Sequence, residues 1–280
     1  MAGNKIGKIF SLTTFGESHG KAIGGILDGM PAGLKIDFDL VNKELGRRRP
    51  GQSDVVSGRN EPDAVEFLSG ILNGYSLGTP IGFIIRNKDY ISSDYEHLTT
   101  TYRPSHADYS YDMKYGIRDV RGGGRSSARE TVSRVVGGSL AKQLLSNFGI
   151  SIDAFVNRIG SVSLDEAYTN LDISLSELSN VRCPDEVISE KMIELIKNTS
   201  IIGDTLGGEI TCVIKSLPPG LGEPVFNKLN ADLAHGAMSI NAVKGFEIGS
   251  GFKAVSMFGS EHNDLFVKEK GKIVTSTKFS

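Results

Sequence analysis

Past Arg182 the chain contains no arginine, although lysines run throughout; 11 of the 13 arginines precede residue 135. Lysine serves solubility anywhere on a surface, whereas arginines gathered in one part of a chain point to bidentate binding of carboxylate or phosphate. Cysteine is equally scarce. Cys183 and Cys212 stand alone without metal-ligand spacing, which excludes a zinc site or a disulfide scaffold and makes a reducing cytoplasm the expected setting. The H-E-x-x-H pattern and helically spaced histidine pairs are missing, so no metal is expected. No apolar run approaches the ~18 residues of a membrane span. The opening Met1-Ala-Gly-Asn-Lys5 lacks the apolar core of a signal peptide, and no membrane partner is expected. A formal net charge of −2 and the lack of a binding module also argue against nucleic acid.

Glycine, by contrast, is abundant: 34 of 280 residues, against a usual share of about 7%. Such an excess implies tight turns or close backbone approaches to a ligand. The most informative stretch runs from Arg118 to Arg134, where five arginines and three consecutive glycines fall within seventeen residues. Guanidinium groups around a flexible loop in a slightly acidic protein suit a compact ligand carrying phosphate and carboxylate.

Residues 6–15 and 22–28 read as strands, Pro31–Gly33 as a turn, and Asp39–Gly46 as a short helix. Glu61-Pro62-Asp63 predicts a helix through Ile71, because proline suits the first helical position and acids suit the first turn. Residues 80–86 read as a strand, and the weakly periodic interval 87–124 as long functional loops. The clearest helix spans 127–147, opened by a Ser127–Glu130 capping box and carrying Val132, Val135, Val136, Leu140 and Leu144 at helical spacing. Within it, Gly137-Gly138 costs about 1 kcal/mol per residue relative to alanine, which implies a closely crossing neighbour. Further strands are expected at 152–159, 208–216 and 242–248, and helices at 185–197 and 223–235. A faint repeat relates Gly24–Leu45 to Gly207–Leu233; both read strand, Pro-Gly turn, helix.

Two histidines stand in loops suited to proton transfer near neutral pH. His19 lies in Thr14-Phe-Gly-Glu-Ser-His-Gly20, directly after a strand, and His106 in Arg103-Pro-Ser-His-Ala-Asp108. Purely local hydrogen bonding by each remains an open alternative. His97, His235 and His262 have weaker settings; His235 ends a helix, where it complements the dipole. Gly122–Ser127, ahead of a capped helix, reads as an anion or cofactor cradle. It is neither a Walker loop nor a G-x-G-x-x-G turn, and a plain helix entry is the competing reading.

Taken in order, TFGESHG (14–20), RRRPGQ (47–52), RPSHAD (103–108), GGGRSSARET (122–131), VRCP (181–184) and MSINAVKGFEIG (238–249) resemble chorismate synthase, a flavin-dependent lyase family of aromatic biosynthesis. The resemblance covers residues 1 to about 264. It implies 1,4-elimination of phosphate from 5-enolpyruvylshikimate-3-phosphate to give chorismate, with reduced FMN required and NADPH serving only indirectly as flavin reductant. It further implies that His19 protonates the departing phosphate and that His106 tunes flavin protonation. Arg48, with Arg49 and Arg129 as candidates, would bind substrate, while Arg125, Ser126, Ser127, Asn241 and Ala242 would contact flavin.

The fold implied is α+β: a layered β-α-β sandwich with antiparallel sheets around a helical interior and pseudo-twofold halves. A homotetramer is implied as well. The chain reads as a single chorismate synthase-like domain over 1–280 that lacks the family's usual C-terminal segment, including a late Gly-Arg-His-Asp-Pro motif. Ser53-Asp54 stand where many members carry an arginine, with Arg59 a nearby substitute. A shortened, non-catalytic remnant that binds phosphate ligand or flavin is the alternative.

Overall fold

The first expected strand is a hairpin. Gly7 takes φ +86°, and the chain turns there between Lys5–Ile6 (β1) and Ser11–Phe15 (β2), which pair antiparallel with Ile6 opposite Leu12. Only glycine adopts that backbone region without strain. In this computed structural model, residues 3–49, 61–88 and 98–279 are described. They fall into two compact units, residues 1–217 and 218–280.

In the first unit, Ala22–Asp28 (β3) pairs with β2 and places Leu27 opposite Leu12 and Gly25 opposite Thr14. The helix Phe38–Arg48 (α1) starts where Asp37 Oδ1 accepts the Leu40 N–H at 2.9 Å, an N-cap bond. Four strands follow: Val65–Phe67 (β4), Ile71–Leu72 (β5), Tyr75–Ser76 (β6) and Ile81–Arg86 (β7). The main sheet has the order β1-β2-β3-β7-β4 and is antiparallel throughout. Its inward face alternates with period two: Ile23, Gly25 and Leu27 on β3, and Ile81, Phe83 and Ile85 on β7.

The short helix Asp108–Tyr115 (α2) precedes the long one, Thr131–Ser146 (α3). Helix α3 covers the main sheet with Val132, Val136 and Leu140, and α1 packs against α3 through Val41 and Leu45. The closely crossing neighbour inferred from the glycine pair is β2: a Cβ on Gly137 would stand 2.8 Å from Leu12 Cδ2. One turn earlier, Ser133 Oγ donates to the Gly24 carbonyl at 3.1 Å. Then come Ser151–Ile159 (β8), Val162–Ser163 (β9), the helix Glu186–Ile201 (α4) and Gly208–Lys215 (β10). Strands β10-β8-β9 form a second antiparallel sheet, and its own core joins Phe155 and Val213 to Met192 of α4 and to Cys183. The fold is α+β, with antiparallel sheets and packed helices.

The second unit contains Leu229–Met238 (α5), the single turn Gly259–His262 (α6), and the hairpin Phe266–Glu269 (β11) with Lys272–Thr275 (β12). His235 lies in the last turn of α5. His262 bonds Ser250 Oγ at 2.7 Å and stacks on Phe279.

Several local expectations are corrected. The helix predicted from Glu61 does not form: Asp63 is left-handed at φ +48°, and Val65–Phe67 is drawn into the sheet beside β7. Within 87–124, α2 forms although Asp108 is its one buried residue, so it leaves no apolar periodicity to read. Residues 242–248 are not a strand, because Ala242 takes φ +67° in a turn closed by Val243 N–H on the Ile240 carbonyl. The helix expected at 223–235 begins only at Leu229, after a bridge between Glu223 and Asn227. Ser127 caps a preceding 3₁₀ turn, and Glu130 pairs with Arg134 at 2.9 Å instead of closing a capping box.

Candidate active site

His19 sits in a four-residue turn at the end of β2, closed by the Gly20 N–H on the Glu17 carbonyl at 3.0 Å. Its side chain is buried, and Nδ1 lies 3.1 Å from Ser18 Oγ. The three glycines meet this turn. Gly122, Gly123 and Gly124 all take positive φ, and a Cβ on Gly122 would overlap the His19 imidazole at Cε1 and Nδ1. A Cβ on Gly124 would stand 2.5 Å from Glu17 Oε2. The glycines are therefore required by close approach as well as by dihedral angle.

Arg125 extends this contact back to β2, donating to Thr14 Oγ1 at 2.6 Å and to Asn4 Oδ1 at 3.2 Å. Glu17 accepts the Arg125 backbone N–H. Burial pushes the Glu17 carboxyl above its ordinary value and Asp119 adds to this, while Arg125 opposes it. The anion cradle read at Gly122–Ser127 thus already receives one carboxylate from the chain itself. Ser126 Oγ donates to the Gly123 carbonyl at 2.7 Å, and Ser127 accepts the Arg129 N–H at 3.3 Å.

Below this loop lies a buried ion cluster. Arg129 is paired with Asp63 through Nη1, donates from Nε to Asn87 Oδ1 at 3.0 Å, and has Glu61 at 3.8 Å. Arg48 reaches the other Asp63 oxygen at 3.1 Å and also donates to Thr131 Oγ1 and the Ala128 carbonyl. One carboxylate therefore holds two substrate-binding candidates together. Arg47 turns away to Glu44 and Glu177, and Arg49 is exposed at the end of α1. Pro50–Gln52, Arg59 and His97 lie outside the described residues.

The His106 loop is braced separately. Asp108 accepts from the Arg103 backbone N–H, Nε and Nη2 at 2.8–3.1 Å, and Arg118 Nη1 lies 3.4 Å away. These Arg103 hydrogen bonds hold the Asp108 carboxyl down at about 2, against the opposing effect of burial. Arg118 also stacks over Tyr102. His106 itself is exposed, after a left-handed Ser105. Arg103 connects this loop to the glycines, since a Cβ on Gly123 would lie 3.1 Å from its Nη2.

A cleft of about 560 Å³ opens beside the glycine loop, lined by Tyr111, Tyr115, Arg118, Arg121, Arg125 and Glu17 among others. Three arginines against the two carboxylates Glu17 and Asp119, with two tyrosine rings beside them, fit an anionic aromatic cofactor such as FMN. His19, His106, Arg48 and Arg129 do not line this cleft. Asn241 and Ala242 belong to the second unit, in the left-handed turn before residue 243. Among the described residues no cluster of three metal-ligating side chains occurs, and no helix is long and apolar enough to cross a membrane.

Three residues of this region escaped the sequence: Glu17, Asp63 and Asn87. Glu17 stands inside a motif whose histidine is its salient residue, and Asp63 has the local pattern of a helix start. Asn87 follows a strand with no local signal, because its partners lie 42 to 70 residues away.

Residues 10–278 match the family profile described as chorismate synthase. Among curated relatives, the chorismate synthase of Christiangramia forsetii is 60% identical over 266 residues, covering 95% of this chain and 75% of that protein. The one from Phocaeicola vulgatus is 54% identical over 277 residues, covering 99% and 77%. A solved structure titled as a crystal structure of chorismate synthase superposes with a TM-score of 0.80 at 34% identity, covering 96% of this chain and 78% of that one. The chain belongs to the chorismate synthase family.

Proposed function

We propose that the chain is a lyase that forms chorismate from 5-enolpyruvylshikimate-3-phosphate by 1,4-elimination of phosphate, in the biosynthesis of aromatic amino acids. The observation that carries the reading is the convergence of the His19 turn, the glycine loop and the Arg48–Asp63–Arg129 cluster in one region of the first unit. The alternative of a non-catalytic remnant is not favoured, since close identity to curated enzymes runs over nearly the whole chain.

Reduced FMN, when bound, supplies transient electron density to the carbon that loses phosphate, with no net redox change. Arg125, Ser126 and Ser127, in the first unit, would hold it. Arg48 and Arg49 bind the substrate's anionic groups, and Arg129 supports them from the buried side of the cluster. His19 gives a proton to the departing phosphate oxygen. His106, which does not line the cleft, would tune flavin protonation from the loop clasped by Arg103 and Asp108. NADPH acts only upstream, as reductant of free flavin.

Residues 10–278 match one profile across both units, which supports a single functional domain. A homotetramer in a reducing cytoplasm completes the reading. It is supported by exposed Phe226, Phe252, Val255, Phe258 and Phe266, which need apolar cover, and by two free cysteines. Anaerobic titration with FMN and substrate, followed by mass analysis of the product, is the test. Mutually dependent binding with chorismate formed supports the reading, and binding without product returns the remnant.

A further inference from the structure

Asn87 stands one residue beyond β7, is buried, and its side chain joins the His19 turn to Arg129. Its Nδ2 donates to the Glu17 carbonyl at 3.1 Å and to the Gly20 carbonyl at 2.8 Å, the two ends of the turn that carries His19. Its Oδ1 accepts Arg129 Nε at 3.0 Å. These partners fix the amide orientation: reversing it would set an NH₂ against a guanidinium and an oxygen against two carbonyls.

We infer that Asn87 is a positioning residue, clasping both ends of the His19 turn and tying that turn to the Arg129–Asp63–Arg48 cluster. Elimination needs the proton donor and the anion-binding guanidiniums in fixed register, and misplacement by about 1 Å costs on the order of a hundredfold in rate. The inference rests on the role proposed for His19. Asn87 touches no substrate in this account and acts through the imidazole.

The informative substitution is Asn87→Asp. A carboxylate keeps an acceptor for Arg129 Nε but loses both donors to the turn and turns an oxygen toward the Glu17 and Gly20 carbonyls. The clasp becomes a repulsion while the contact to Arg129 stays. Turnover with 5-enolpyruvylshikimate-3-phosphate and reduced FMN should fall by about ten- to a hundredfold, with the substrate Kd held near the native value. In a His19→Ala background the same substitution should add little, because the group it positions is gone.

If Asn87→Asp slows both backgrounds equally, or neither, while His19→Ala alone is slow, the positioning role falls and the His19 assignment stands. If His19→Ala turns over normally, both fall. A second variant is read without turnover: Asn87→Ala should speed hydrogen exchange at the Gly20 amide, which donates across the turn to Glu17. Unchanged Gly20 exchange in that variant would also overturn the inference.

Discussion

Gly122 and His19 occupy space that only a glycine leaves open: at φ +62°, any Cβ on residue 122 would run into the imidazole. Gly122→Ala should therefore push the ring aside and strain the loop together. Turnover is expected to drop by about ten- to a hundredfold, while substrate affinity, measured by titration, changes far less. Native turnover in this variant would show that the ring's position is unimportant.

Asp63 is the shared counter-ion of Arg48 and Arg129. Asp63→Asn neutralises the carboxylate shared by the buried Arg129 and the partly exposed Arg48, and loss of one partner from a buried ion pair costs about 3–5 kcal/mol. Urea midpoints measure this. The exposed Arg86–Glu66 pair is the control, where Glu66→Gln should cost under about 1 kcal/mol. Equal small losses at both sites would contradict the cluster's structural role.

Acid should loosen the loop that carries His106. Asp108 lies at about 2 when folded, below its ordinary 3.8, so the unfolded chain takes up this proton first as pH falls. Its contribution is full above about pH 4 and is lost as pH falls through about 2. The stability gap between native protein and Asp108→Asn should shrink from pH 5 to pH 2.5, and a constant gap would contradict the assignment.

What the sequence discloses is what local pattern controls. Helix α3 is legible because Val132, Val136 and Leu140 repeat along one buried face. Strands β3 and β7 are legible because each buries alternate residues in the same core. Helix α2 is not, because it buries almost nothing. The helix predicted from Glu61 fails for a related reason: both acids are engaged by distant partners, Arg48 and Arg129 on Asp63 and the Lys88 N–H on Glu61, instead of helical N–H groups. The site divides in the same way. Its histidines and arginines stand out as motifs, whereas Asn87 and Asp63 acquire their roles only when residues far apart in sequence meet.

The glycine pair in α3 provides a test of packing. Gly138 is exposed with open space around its Cβ position, so Gly138→Ala should stabilise the protein by about 1 kcal/mol through helix propensity. Gly137 faces Leu12, and Gly137→Val should instead cost about 1–3 kcal/mol by overpacking. Opposite signs in thermal melts are expected; matching signs would mean that α3 does not cross β2 at Gly137.

The most direct measurement is chorismate formation by native protein and His19→Ala under anaerobic conditions, with reduced FMN and 5-enolpyruvylshikimate-3-phosphate. Native protein should turn over, and the variant should fold and bind substrate yet run at least about a hundredfold slower. Comparable rates from the two proteins would contradict a proton delivered from the turn beneath the glycine loop.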